Sequence, residues 1–245
     1  MTLLALDTST DWASVALYDG RSVLAEETWH AQRRHGDELF PTIERVIASA
    51  RSSLAEIDRV AVATGPGSFT GLRVAIAAAQ GIARGAGAAI VGVSTLDVLA
   101  YPHAPSKRRT CAILPAGRTE FYAAFYQERN RKWQRRSPYM VATLADLCRQ
   151  IGTHTLFVGE IGEDAEELLR DLLGPKALFA PPASRMRRAG YLAELGWRAL
   201  ETAPQGKLGE IEPIYVKQPS IRTSFDQPFA PVPTGDVALG LPKRS

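Results

Sequence analysis

Residues Arg59 to Arg84, RVAVATGPGSFTGLRVAIAAAQGIAR, constrain the chain more than any other stretch. The apolar run Val60, Ala61, Val62 and Ala63 ends in the loop Gly65-Pro66-Gly67-Ser68-Phe69-Thr70-Gly71, and no proline or charge lies between Arg73 and Arg84. That order predicts a strand, a glycine-rich turn and a helix. Glycines allow positive φ and close backbone approach. The helix start offers unpaired N–H groups and the positive end of its dipole to an anion. Gly65, Gly67, Ser68 and Gly71, with Asp7, Thr8 and Ser9, are therefore candidate nucleotide or anion residues. A Walker-type loop is excluded, because Gly71 is followed by Leu72 and Arg73 and the first lysine is Lys107. The GxGxxG spacing is not met either. The competing reading is a tight turn that packs a small-residue helix against a sheet.

Around this stretch the chain reads as an ordered series. Leu3 to Asp7 has the continuous apolar character of a strand buried on both faces. Trp12 to Tyr18 alternates, as a half-exposed strand does, and Asp19-Gly20 marks a hairpin to a third strand over Ser22–Trp29. Leu39, Ile43, Val46, Ile47 and Ala50 recur at helical spacing, with Asp37 as the expected N-cap and Pro41 near the helix start. The glycine stretch follows, then a strand over Ala89–Val93. Three antiparallel strands, helix, strand, helix, strand is the order of a ribonuclease-H-like unit, the building block of actin-like ATPases. Further on, strands are expected at Thr110–Leu114, Thr119–Tyr126, Trp133–Val141, Leu156–Val158 and Pro213–Val216. Helices are expected over Leu144–Ile151, near Ile161–Leu173, and within Arg185–Glu201.

Candidate chemistry is sparse. Asp7 ends the first strand, where a metal-facing carboxylate would sit, but a two-metal nuclease needs further oxygen ligands and the fourth strand ends Ala63-Thr64-Gly65. Asp7 as a turn residue is the alternative. His30 and His35 are five apart, the wrong spacing for one helical face, and Ser68 lacks the GxSxG pattern. Cys111 and Cys148 show no CxxC spacing and read as reduced thiols of a cytoplasmic protein. No apolar run suits a membrane span, and MTLLALDTST lacks the basic flank of a signal peptide. The net charge of +3 is unevenly placed: between Tyr101 and Met140, nine Lys and Arg face only Glu120 and Glu128. That segment reads either as a track for a phosphate backbone or as a solvated surface. Arg185, Arg187 and Arg188 form a second basic cluster.

LLALDTST, RRHGDELFPTIERVI and VAVATGPGSFTGLRVAIAAAQGIA together resemble the bacterial TsaB (YeaZ) family, and PIYVKQP is similar to its closing strand. The resemblance is close over residues 1–100 and looser over 101–220. It implies an α/β, two-lobed ribonuclease-H-like/actin-like ATPase architecture with mixed sheets. The expected division is a first lobe over 1–100 that carries partner-binding helices, a smaller lobe over 101–222 with a helix returning to the first, and a flexible tail over 223–245. The implied role is a non-catalytic subunit that pairs with a TsaD-type transferase for threonylcarbamoylation of N6 of the adenosine beside the tRNA anticodon, joined by a TsaE-type ATPase.

The family's pairing helices correspond to Asp37–Arg51 and Leu72–Arg84, which makes Leu39, Ile43, Val46, Ile47, Leu72, Val74, Ala75, Ala78, Ala79, Gly81 and Ile82 the expected interface. No intrinsic cofactor is implied, with ATP or ADP placed at the seam of the complex, tRNA reached through it, and a homodimer expected of the isolated chain. The metal-binding HxxxH of the catalytic paralogue is replaced here by Val93-Ser94-Thr95-Leu96-Asp97-Val98. In one departure, the family's Asp-Ala-Arg reads Ala116-Gly117-Arg118, so the acidic residue is gone. The alternative is a stand-alone ATP-binding enzyme or metallopeptidase-like protein of the same fold.

Overall fold

A computed structural model describes residues 1–32, 34–202 and 211–216. The tail expected from Thr223 lies outside them. Two mixed sheets form the frame. The first has the order β3-β2-β1-β4-β5, from β1 (Thr2–Asp7), β2 (Trp12–Tyr18), β3 (Val23–His30), β4 (Ile57–Gly65) and β5 (Ala89–Ser94). β1 runs antiparallel to β2 and parallel to β4, as the order of elements predicts. The second sheet has the order β11-β10-β6-β7-β8, from β6 (Arg109–Pro115), β7 (Glu120–Arg129), β8 (Lys132–Arg135), β10 (Thr155–Gly159) and β11 (Ala177–Phe179). β9 (Met140–Thr143) also pairs with β7.

Strand alternation sorts the core into three zones. Leu4, Leu6, Val15, Leu17, Val60 and Val62 face α1 (His35–Ser49) and α2 (Phe69–Ala86). Leu3, Ala5, Ala16 and Ala61, on the opposite face, join α3 (Thr95–Ala100) and α6 (Ala189–Thr202), and also Ala112, Leu114, Tyr126 and Val158 of the second sheet. Cys111, Ile113 and Phe157 turn outward onto α4 (Leu144–Arg149) and α5 (Glu163–Leu173). The fold is thus layered helix, sheet, helix, sheet, helix. It is the two-lobed, actin-like architecture expected from the chain.

Several local expectations need correction. β2 is buried along both faces rather than half exposed, because α6 covers the side that carries Ser14. The Ser14 hydroxyl accepts the Ala189 N–H at 2.9 Å, so the polar residue of the alternation serves the helix start. α1 begins at His35, with Arg34 at the N-cap position and no side-chain cap. Asp37 falls in the first turn, where its charge still suits the dipole. Glu38 holds this start by accepting the Trp29 indole N–H at 2.8 Å and pairing with Arg34 at 2.5 Å. Pro41 is consequently deeper in the helix than expected and removes one backbone bond there.

The single strand expected over Trp133–Val141 is two, β8 and β9. Between them Pro138 has no N–H to give, and Ser137 turns its hydroxyl to accept the Phe125 N–H at 3.0 Å. Residues 213–216 form no strand; Ile214 donates a single backbone bond to Thr64 O at 2.7 Å.

α3 carries Asp97 into the central core, where the Tyr126 and Tyr139 hydroxyls donate to its two oxygens at 2.6 and 2.8 Å. Burial pushes this carboxyl up, against the pull of the two tyrosines. Asp97 therefore holds its proton more tightly folded than unfolded. The stability it contributes is complete below its unfolded value of about 4 and declines as pH rises through the folded value. Thermal melts from pH 4 to 8 should show this decline in the native chain and not in Asp97→Asn. Asp97→Ala, which orphans both tyrosines, should cost about 1–3 kcal/mol.

Candidate functional site at the glycine loop and helix pair

The glycine loop packs directly on the segment that follows β1. Ser68 N–H donates to Ser9 O at 2.6 Å, and the Thr8 hydroxyl donates to Gly71 O at 2.6 Å. A Cβ on Gly67 would lie 2.2 Å from Ser9 O, and one on Gly71 would lie 2.0 Å from Thr8 O. Only glycine permits this approach. Ser68 caps α2: its Oγ accepts the Gly71 N–H at 3.3 Å, and its carbonyl accepts Leu72 N–H at 2.9 Å. Thr8, Ser9, Gly67, Ser68 and Gly71 therefore meet in one seam, with Gly65 at the end of β4 beside them. Three N–H groups of this seam, those of Ser68, Gly71 and Leu72, donate to the chain itself.

Asp7 has a different set of partners. Its Oδ1 accepts the backbone N–H and hydroxyl of Ser9 at 2.8 and 2.5 Å. Its Oδ2 accepts Arg187 Nε–H at 2.9 Å. Arg187, which is 3% exposed, also donates to Glu160 at 2.5 Å, to the Thr10 hydroxyl at 2.7 Å and to Trp12 O at 2.8 Å. Burial works against the guanidinium charge, but Asp7 and Glu160 outweigh it and hold its pKa above the ordinary value. Thr10 donates in turn to Glu160 at 2.6 Å. The carboxylate expected to face a metal or phosphate thus faces an internal cation. Among the described residues no three His, Cys, Asp or Glu side chains come together as an ion-holding group.

Glu160 and Arg187 were not legible as site residues. In the second basic cluster, Arg185, Arg187 and Arg188, each residue is paired. Arg185 binds Glu166 at 2.7 Å, and Arg188 binds Glu26. Arg170 and Arg185 together hold the Glu166 carboxyl below its usual range.

The expected interface set divides by face. Leu39, Ile43, Val46, Ile47, Leu72, Ala75, Ala78 and Ala79 are buried against the first sheet, so in the free chain their apolar side is the inner side. Val74 and Ile82 are half-buried, and Gly81 is exposed. The physical reason is that helical periodicity marks the face that the protein's own sheet covers. The outward face of the pair is instead Phe40, Glu44 and Ala48 of α1 with Phe69, Arg73, Ala77 and Gly81 of α2. Phe40 is 53% exposed and Phe69 38%. Arg73 stacks over Phe69 at 3.9 Å, and Tyr215 packs on the same ring at 5.5 Å.

Two substitutions test this geometry. Arg187→Met leaves the buried Asp7 and the half-buried Glu160 without their cation and should cost about 3–5 kcal/mol in urea unfolding. Adding Asp7→Asn and Glu160→Gln should recover part of that loss; a triple variant no more stable than the single one contradicts the assignment. Gly71→Ala forces a Cβ against the Thr8 carbonyl and should destabilise by about 1–3 kcal/mol or more.

Comparison with known proteins agrees with this fold. The family model described as TsaD: tRNA N6-adenosine threonylcarbamoyltransferase matches residues 24–157. The tRNA threonylcarbamoyladenosine biosynthesis protein TsaB of Bacillus subtilis is 28% identical over 199 residues, 80% of this chain and 87% of that protein. The Escherichia coli protein of the same name is 37% identical over 136 residues, 54% of this chain and 58% of the relative. A crystal structure of a Pseudomonas aeruginosa protein with similarity to peptidase YEAZ superposes with a TM-score of 0.71 at 25% identity, covering 88% of this chain and 99% of that one. The chain belongs to the TsaD family of sequences, within its TsaB (YeaZ) group.

Proposed function

We propose that this chain is a non-catalytic subunit of tRNA threonylcarbamoyladenosine biosynthesis. It pairs with a TsaD-type transferase that acts on N6 of the adenosine beside the tRNA anticodon. One observation carries the reading: Asp7, the carboxylate at the end of the first strand, is taken up by Arg187 inside the fold, while the helix pair beside it presents aromatic and small residues to solvent. The names of the relatives support the pathway.

Pairing runs through the outward face of α1 and α2. Ala77 and Gly81 lie one helical turn apart and leave room for a partner helix to come close, and Phe40 and Phe69 offer ring area at the two sides. The core residues Leu39, Ile43, Val46, Ile47, Leu72, Ala75, Ala78 and Ala79 serve this face indirectly, by seating both helices on the sheet. The same face pairs two copies when the chain is alone. A TsaE-type ATPase completes the assembly, ATP or ADP acts at the seam of the complex, and the setting is the cytoplasm. Among the described residues no helix is long and apolar enough to cross a membrane.

Co-purification with a TsaD-type subunit tests the surface. Phe40→Asp and Ala77→Arg should each weaken pairing by about tenfold or more, roughly 1.4 kcal/mol, while melting temperatures stay near that of the native chain. Threonylcarbamoyladenosine measured in tRNA hydrolysates should fall in step. Undiminished pairing by well-folded variants contradicts the assignment. ATP or peptide turnover by the isolated chain, lost in Asp7→Asn, would favour a stand-alone enzyme instead.

A further inference from the structure

The basic segment between Tyr101 and Met140 has no part in the site described above, and the fold gathers much of it at one end of the second sheet. Lys107 and Arg108 stand immediately before β6. β6 pairs with β7 in antiparallel register, Thr110 opposite Tyr126, so the end of β7 comes alongside the start of β6. β7 ends at Arg129, which lies opposite Lys132 of β8 across the two-residue turn Asn130-Arg131. Lys107, Arg108, Arg129, Arg131 and Lys132 are all exposed, and among the described residues no ion pair joins any of them to a carboxylate. The acidic side chain of β7 at this end is Glu128, which lies opposite Trp133.

This arrangement works against the fold's own preferences. Arg129 and Lys132 are like charges directly opposite on paired strands, which is unfavourable in an isolated hairpin. Asn130 and Arg131 both take left-handed backbone, with φ of 52° and 61°. Asn-Gly is the favoured pair for such a turn, so a side chain at the second position carries a conformational cost. A turn that holds a fifth cation where glycine would fit better points to a use for the charge.

We propose that this end of the second sheet, the β7–β8 turn with the Lys107-Arg108 loop, contacts the phosphate backbone of tRNA directly. The substrate class rests on the proposed function; the polyanion chemistry rests on the cations alone. Charges spread over neighbouring strands, without a buried polar pocket, suit a succession of phosphates rather than one small anion. None of the exposed large hydrophobic side chains lies between residues 101 and 143, so the tip lacks the apolar anchor that would accompany a membrane surface. The turn belongs to the second sheet, whereas α1 and α2 cover the far face of the first. RNA and the protein partner can therefore be held at once.

The test uses the full chain, alone and in complex with the TsaD-type subunit, and an unmodified tRNA transcript as the probe. Binding is followed by fluorescence anisotropy across a series of salt concentrations. The variant combines Arg108→Gln, Arg129→Gln, Arg131→Gly and Lys132→Gln; Arg131→Gly places glycine in the left-handed position and so should not harm folding. It should bind tRNA about tenfold more weakly or worse, and its plot of log affinity against log salt should be shallower by about 3, for four lost phosphate contacts. Melting temperature should be unchanged or higher, because the like-charge pair and the left-handed side chain are relieved, and pairing with the TsaD-type subunit should be unchanged. An unchanged slope and affinity would overturn the proposal. So would loss of binding to phosphatidylserine vesicles with tRNA binding intact, which would assign the tip to a membrane. Failure of the native chain to pair at all overturns the proposed function separately, because tRNA binding by the isolated chain is read independently.

Discussion

The fold depends on one buried cation. Arg187 stands just before α6, yet its guanidinium reaches the end of β1, the turn after it, the start of β2 and the end of β10. A lone guanidinium in such a place would be costly to desolvate. Four directed hydrogen bonds, two of them to carboxylates, offset that cost, and the geometry they demand fixes how the first sheet, the second sheet and α6 meet. Such a network contributes less to net stability than its bonds suggest, because they must first offset the desolvation of the charges. It also fills the position from which Asp7 would address a bound cation. The same contact that occupies Asp7 makes a rigid joint.

Rigidity at this joint bears on the outer helices. The segment after β1 carries Asp7 to the arginine and, one residue on, Thr8 to the Gly71 carbonyl. α2 is thereby tied at its first turn to the segment that follows the buried strand β1. α1 is seated by Trp29 and Glu38 at one end and by the row Leu39, Ile43, Val46 and Ile47 along its length. Two helices anchored in this way present a face whose shape does not depend on a partner, which lowers the ordering cost of association.

How much of this was legible in the sequence follows from the range over which each residue acts. The strand–turn–helix around Gly65–Gly71 and the double burial of β1 are local patterns, and both appear where the residues indicate. α1 and α2 were also visible, but periodicity identifies the side of a helix that is covered, not what covers it. Leu39, Ala75 and their neighbours lie under the molecule's own sheet, and the outward face consists of residues that no pattern marks. Asp37 was displaced from the cap because Glu38 is held by Trp29, nine residues earlier. α3 is only 6 residues long, too short for a period to register. Arg187 was beyond reach altogether: its partner Asp7 is 180 residues away, and its neighbours Arg185 and Arg188 suggest surface.

The return of α6 to the first sheet sets an order on synthesis. β1, β2 and β4 are complete within the first 65 residues, yet Leu3, Ala5, Ala16 and Ala61 are covered on their inner side by a helix that ends at Thr202. Until that helix leaves the ribosome, the inner face of the oldest part of the chain lacks one of the elements that cover it. Contacts of such long sequence separation close late and slow the approach to the native state. Truncation within α6 would accordingly uncover part of the first sheet's inner face even though β1, β2 and β4 are intact.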